Sequence, residues 1–143
     1  MRRYLVVAHQ TLTSPELLEA LHTKAAQEDT TFHLLVPIHH GGPGLTWTEG
    51  HDRAVTKRRL EDAQARMTAD GLAVTGEVGT DSPVASVDEV LRRDGPAAYA
   101  GVIVSTLPRT LSKWLKLDVP SGIQRRTTLP VEHLIGHPAD ASV

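Results

Sequence analysis

Apolar and polar positions along this chain switch repeatedly between the two-residue period of a strand and the 3.6-residue period of a helix. Tyr4 to Ala8 is an unbroken apolar run, the pattern of a strand covered on both faces. Ser14-Pro15 then opens a helix, with Ser14 as cap, Pro15 at the first position and Glu16 and Glu19 in the first turns. Leu17, Leu18, Leu21 and Ala25 make its apolar face. A second strand is expected at Phe32 to Ile38, followed by the irregular loop His39-His40-Gly41-Gly42-Pro43-Gly44. Thr46-Trp47-Thr48-Glu49 has capping-box spacing, and the helix it starts should run to Ala69 with Leu60, Ala63 and Met67 inward. Asp70-Gly71 stops it, and Leu72 to Val78 alternates as a third strand. Asp81-Ser82-Pro83 starts a third helix on Val84, Val87, Val90 and Leu91, which Gly95-Pro96 ends.

The fourth strand is Val102 to Ser105, and a helical region follows from Thr110 to about Arg126. Leu111, Trp114 and Leu115 form its inner stripe, and Asp118-Val119-Pro120 breaks it in two. Pro130 to Ile135 is the last strand. Strands and helices alternating in this way predict an α/β fold: an open, mostly parallel sheet with helices on both faces. Residues 1–137 read as one domain and 138–143 as a flexible tail.

At 143 residues the chain can bury one substantial core, and with 3% aromatic residues that core must be aliphatic. A net charge of −2 gives no broad grip on nucleic acid, so the clusters Lys57-Arg58-Arg59 and Arg125-Arg126 read as solvated helix faces. Without cysteine there are no disulfides, thiolate nucleophiles or thiolate metal sites. No apolar run reaches the length of a signal peptide or a membrane span, so the expectation is a cytoplasmic protein that binds neither membrane nor nucleic acid.

The stretch Gly101 to Leu117 locates a site. A buried parallel strand feeding a helix through a tight turn is where such sheets place ligands. Ser105, Thr106, Thr110 and Ser112 offer hydroxyls there, Arg109 a cationic fork, and Leu107 lies in the turn between them. The same hydroxyls could instead cap the helix. His9, flanked by Ala8 and Gln10, ends the first strand beside that turn, and Val36 and Pro37 end the second. A histidine placed there can titrate near neutrality, bond a ligand, or simply pack under the neighbouring loop.

The chain resembles the universal stress protein family over nearly its whole length. Arg3 to His9, the Phe32 to Val36 strand, Val102 to Leu117, and Leu129-Pro130-Val131-Glu132-His133-Leu134 carry the resemblance. It implies a five-stranded parallel sheet in the order 3-2-1-4-5, of the adenine-nucleotide α-hydrolase-like kind. It also implies a homodimer paired through the last strand, at Val131, His133 and Ile135. Many members bind ATP through a glycine motif after the fourth strand. Laid without gaps, its three glycines and final hydroxyl fall on Ser105, Pro108, Asp118 and Val119. Pro108 offers no N–H to a phosphate, and Asp118 sets an anion where phosphates would lie. His9 also stands where ATP-binding members end their first strand with aspartate. ATP binding in the family's usual mode is therefore not expected.

For catalysis no nucleophile elbow surrounds Ser14, Ser82 or Ser105, and the acids Glu49 and Asp52 sit at a helix start, where the dipole favours them. The eight histidines show no zinc spacing, and no metal site is assigned. The leading expectation is a small-ligand-binding or regulatory module that needs no cofactor, catalyses nothing, and acts through a partner protein or its own dimer. Adenine-nucleotide binding or slow hydrolysis through an altered loop, with His9 as base, is the alternative; a ligand-free interaction domain is another.

Overall fold

The computed structural model describes residues 2–38 and 49–137. The chain runs β1 (Arg2–Val7), α1 (Pro15–Gln27), β2 (Thr30–Val36), α2 (Glu49–Ala69), β3 (Ala73–Val78), α3 (Pro83–Asp94), β4 (Gly101–Thr106), α4 (Lys113–Lys116), α5 (Val119–Gln124) and β5 (Val131–Ile135). One turn of 3-10 helix at Pro96–Ala98 precedes β4. All five strands are parallel, in the order β3-β2-β1-β4-β5. The expected loop at His39 to Gly44, the capping residues Thr46 to Thr48 with Trp47, and the tail 138–143 lie outside the described residues.

Alternate residues of the central strands feed two separate cores, because side chains on a strand point to opposite faces. Val6, Phe32, Leu34 and Ile103 pack with Leu17 and Leu21 of α1 and Leu60, Ala63 and Met67 of α2. Leu5, Val7, Val102 and Val104 pack on the opposite face with Val87, Val90 and Leu91 of α3 and Val119 and Ile123 of α5. Helices therefore cover both faces of the sheet. Among the described residues no helix is long and apolar enough to cross a membrane.

Local chemistry sets the helix starts. Ser14 accepts from the Leu17 N–H at 3.2 Å and Ser82 from the Ala85 N–H at 3.2 Å, each followed by proline at the first helical position. Gly95, at φ 85°, ends α3 in a conformation closed to most side chains.

The region after β4 departs from its sequence pattern. The Pro108 carbonyl accepts from the N–H groups of both Leu111 and Ser112, at 2.8 and 2.9 Å, so the chain makes a closed turn first. Helix starts only where Ser112 caps it, accepting from Leu115 N–H at 3.1 Å. Leu111 is consequently outside the helix and 64% exposed, where the periodicity places it inward. Trp114 does pack against the second core. The expected break falls at Asp118, whose φ of 56° is the one positive value at a non-glycine among the described residues.

Candidate functional site at the ends of β1 and β4

β1 and β4 are hydrogen-bonded neighbours, with Val7 opposite Val104, so the turns that leave them emerge side by side at one edge of the sheet. From β1 the chain turns through His9 to Thr11, with the His9 carbonyl accepting from Leu12 N–H and the Thr11 carbonyl from Ser14 N–H. From β4 it turns at Leu107 and Pro108. Between the two turns lies a hollow with about 40 Å³ of water-accessible space.

His9, Gln10, Ser105, Thr106, Leu107 and Ser112 line it, all positions the sequence nominated. Thr11, Lys113 and Trp114 line it as well. These three escape sequence reasoning because how far a turn wraps depends on its closing hydrogen bonds, which composition does not show. One signal for Thr11 exists: a hydroxyl four residues past the end of β1, opposite another at the end of β4.

The remaining nominated positions lie elsewhere. Ala8 and Val36 belong to the first core, and Pro37 is buried beyond the hollow. Arg109 and Thr110 are exposed on the outer side of the turn. Ser112 spends its side-chain oxygen on capping α4. Of the four positions matching the family's glycine motif, Ser105 faces the hollow, Pro108 closes the turn, Asp118 holds the left-handed break, and Val119 is buried in the second core.

The floor of the hollow is polar and tightly held. Thr11 Oγ1 and Ser105 Oγ lie 2.6 Å apart in a buried hydrogen bond that ties the two turns together. Thr106 Oγ1 donates to the Leu107 carbonyl at 3.0 Å and lies 2.8 Å from His133 Nε2 of β5. With the Thr106 proton already committed, a neutral His133 donates from Nε2. Burial keeps the pKa of His133 below its ordinary value. His9 itself is 8% exposed. The hollow thus offers hydroxyls, an imidazole, the Lys113 ammonium and the Trp114 ring within one small space.

A second polar assembly sits on the α3 face of the sheet, between β2 and β3. His33 bridges Thr75 Oγ1 at 2.7 Å and Glu77 Oε2 at 2.6 Å. Arg93 grips Glu77 with two bonds of 2.9 and 2.7 Å and also reaches Asp94. Tyr99 donates to Asp94 at 2.6 Å, and Arg3 lies 5.1 Å over the Tyr99 ring while reaching back toward Thr75. The Arg93 guanidinium, aided by His33, holds Glu77 below its ordinary pKa despite burial. Arg93 and then Tyr99 hold Asp94 well below the usual carboxylate range. Burial and Asp94 push the Tyr99 phenol far up. Every side chain in this ring has its partner inside the ring, so it reads as a brace. Among the described residues, no three of His, Cys, Asp and Glu are grouped to hold a metal ion.

No protein-family model matches this chain, and no curated protein matches it. Solved structures do. A universal stress protein in complex with cAMP superimposes with a TM-score of 0.56 at 14% identity, over 96% of this chain and 98% of that one. The universal stress protein from Archaeoglobus fulgidus gives 0.60 at 11% identity, over 93% of each chain. A universal stress protein family member from Burkholderia pseudomallei gives 0.52 at 19% identity, over 96% of each. The likeness spans nearly the full length in all three and agrees with the strand order seen here, so the chain has the universal stress protein fold.

Proposed function

We propose that this chain is a small-ligand-binding regulatory module, and that its ligand is a compact polar molecule held between the ends of β1 and β4. The observation that carries the reading is the convergence of Thr11, Ser105, Thr106, His9 and Lys113 on one hollow at the carboxyl edge of a parallel sheet. A fold neighbour in complex with cAMP supports ligand binding by this architecture. Size and chemistry argue against ATP held in the family's usual way. The hollow has about 40 Å³ of water-accessible space, enough for a few waters or a small anion. Laid on the family's glycine motif, Pro108 and Asp118 fall at positions whose backbone N–H groups would meet phosphates.

An adenine nucleotide held by an altered loop is the second reading, and the cAMP complex of the neighbour is what favours it. Mass spectrometry of small molecules released on denaturation, with calorimetric titration of phosphate, AMP, cAMP and ATP, separates the two. A compact polar species released, or heat with phosphate lost in Ser105→Ala, supports the first reading. Stoichiometric heat with an adenine nucleotide establishes the second and refutes the blocking roles of Pro108 and Asp118. The regulatory output is carried by a homodimer joined along β5, an edge strand on which Ile135 is 49% exposed.

A further inference from the structure

The connection between β4 and α5 turns apolar side chains outward. Leu111 is 64% exposed and Leu117 is 66% exposed. They bracket α4, Leu111 just before its cap Ser112 and Leu117 at its C-terminal cap. Single exposed leucines are ordinary, but here two flank one helical turn.

The charge around them is mostly positive. From Leu107 to Asp118 the connection has three cations, Arg109, Lys113 and Lys116, against one acidic residue, the exposed Asp118, in a protein whose net charge is −2. All three cations are exposed, and none joins an ion pair within the described residues. The backbone beneath them is fixed: Pro108 accepts two N–H groups, Lys113 accepts from Leu117, and Leu115 accepts from Asp118. Trp114 anchors the turn in the second core. A surface already held in shape loses little freedom when a partner covers it.

We propose that this connection is a docking face for a partner protein that presents an acidic amphipathic helix. Its apolar side chains would cover Leu111 and Leu117, and its carboxylates would meet Arg109, Lys113 and Lys116. A second copy of this chain fits poorly, because a two-fold contact here would set the same cations against each other. An anionic bilayer fits poorly too: two leucines insert little apolar area, and the protein as a whole is negatively charged. Lys113 also lines the hollow, whereas Leu111, Leu117, Arg109 and Lys116 do not.

The test uses a fluorescent helical peptide of about 16 residues with leucine at helical spacing and glutamate elsewhere, beside a matched peptide with lysine for glutamate. The glutamate peptide is expected to bind the wild-type protein with a micromolar dissociation constant, weakening as salt rises. Leu111→Ser with Leu117→Ser, and separately Arg109→Glu with Lys116→Glu, should each weaken binding about tenfold or more. Thermal melts of these surface variants confirm that they fold. The inference is overturned if the wild type does not bind, if both variants bind as it does, or if the lysine peptide binds equally. It is overturned as well if phosphatidylserine vesicles bind in place of the peptide, or if the leucine variant changes the oligomeric state.

Discussion

At the scale of single residues the most consequential contact is the 2.6 Å bond between Thr11 and Ser105. Both side chains are 1% exposed, so removing one hydroxyl strands the other away from water. Ser105→Ala is expected to cost about 1–3 kcal/mol in urea denaturation. Adding Thr11→Val should recover part of that loss, since two apolar partners no longer leave a buried polar group unmet. Titration of the brace on the α3 face gives a second expectation. Glu77 and Asp94 are held below their ordinary values of 4.5 and 3.8, so the folded state binds their protons less readily than the unfolded chain. Their stabilisation is complete above those values and drains away as pH falls through and below them. The depressed pKa of His133 works in the same direction, its contribution being present above about 6.5 and lost on acidification. Urea midpoints should therefore fall from neutral pH downward, and Glu77→Gln should flatten the acid limb.

At the scale of elements, what could be read in advance was what depends on near neighbours. Ser14-Pro15 and Ser82-Pro83 announce their helices because cap and first turn are contiguous in sequence. The spacing of Leu111, Trp114 and Leu115 misled at Leu111, which lies outside the helix because the Pro108 carbonyl takes two N–H groups in a closed turn. Trp114 does pack inward. The position of the hollow was legible from the strand–turn–helix pattern. Its full lining was not, because Thr11 and Lys113 arrive there through the wrapping of two turns separated by most of the chain. Two substitutions follow at this scale. Asp118 adopts φ 56° and makes no side-chain cap bond, so Asp118→Gly should raise stability by about 0.5–1 kcal/mol. A Cβ at Gly79 would lie 2.5 Å from Ser86 Oγ, so Gly79→Ala should cost about 1–3 kcal/mol in thermal or urea unfolding.

At the scale of the whole molecule, β5 is one of the two edge strands of the sheet, β3 being the other. Its Val131 and Leu134 are half-covered, whereas Glu132 and His133 are exposed and Ile135 is 49% exposed on an edge. Pairing of two copies along this strand predicts a dimer by light scattering, and Ile135→Glu should shift it to monomer. A wild-type protein that scatters only as a monomer removes the dimer from the proposal.

The strand order also has a consequence in time. β1 pairs with β2 on one side through residues some thirty positions later, and with β4 on the other about a hundred positions later. A chain emerging from the ribosome can therefore assemble β3, β2 and β1 well before β4 exists. In that interval β1, which is central in the finished sheet, is an apolar edge strand with its hydrogen-bonding groups open. The last tie comes later still, when the His137 N–H reaches Glu16 at 2.6 Å across 121 residues and secures the end of β5 to the first helix. The stretch of synthesis between β3 and β4 is when this molecule most needs protection from aggregation, and its first half alone would be insoluble rather than a smaller version of the fold.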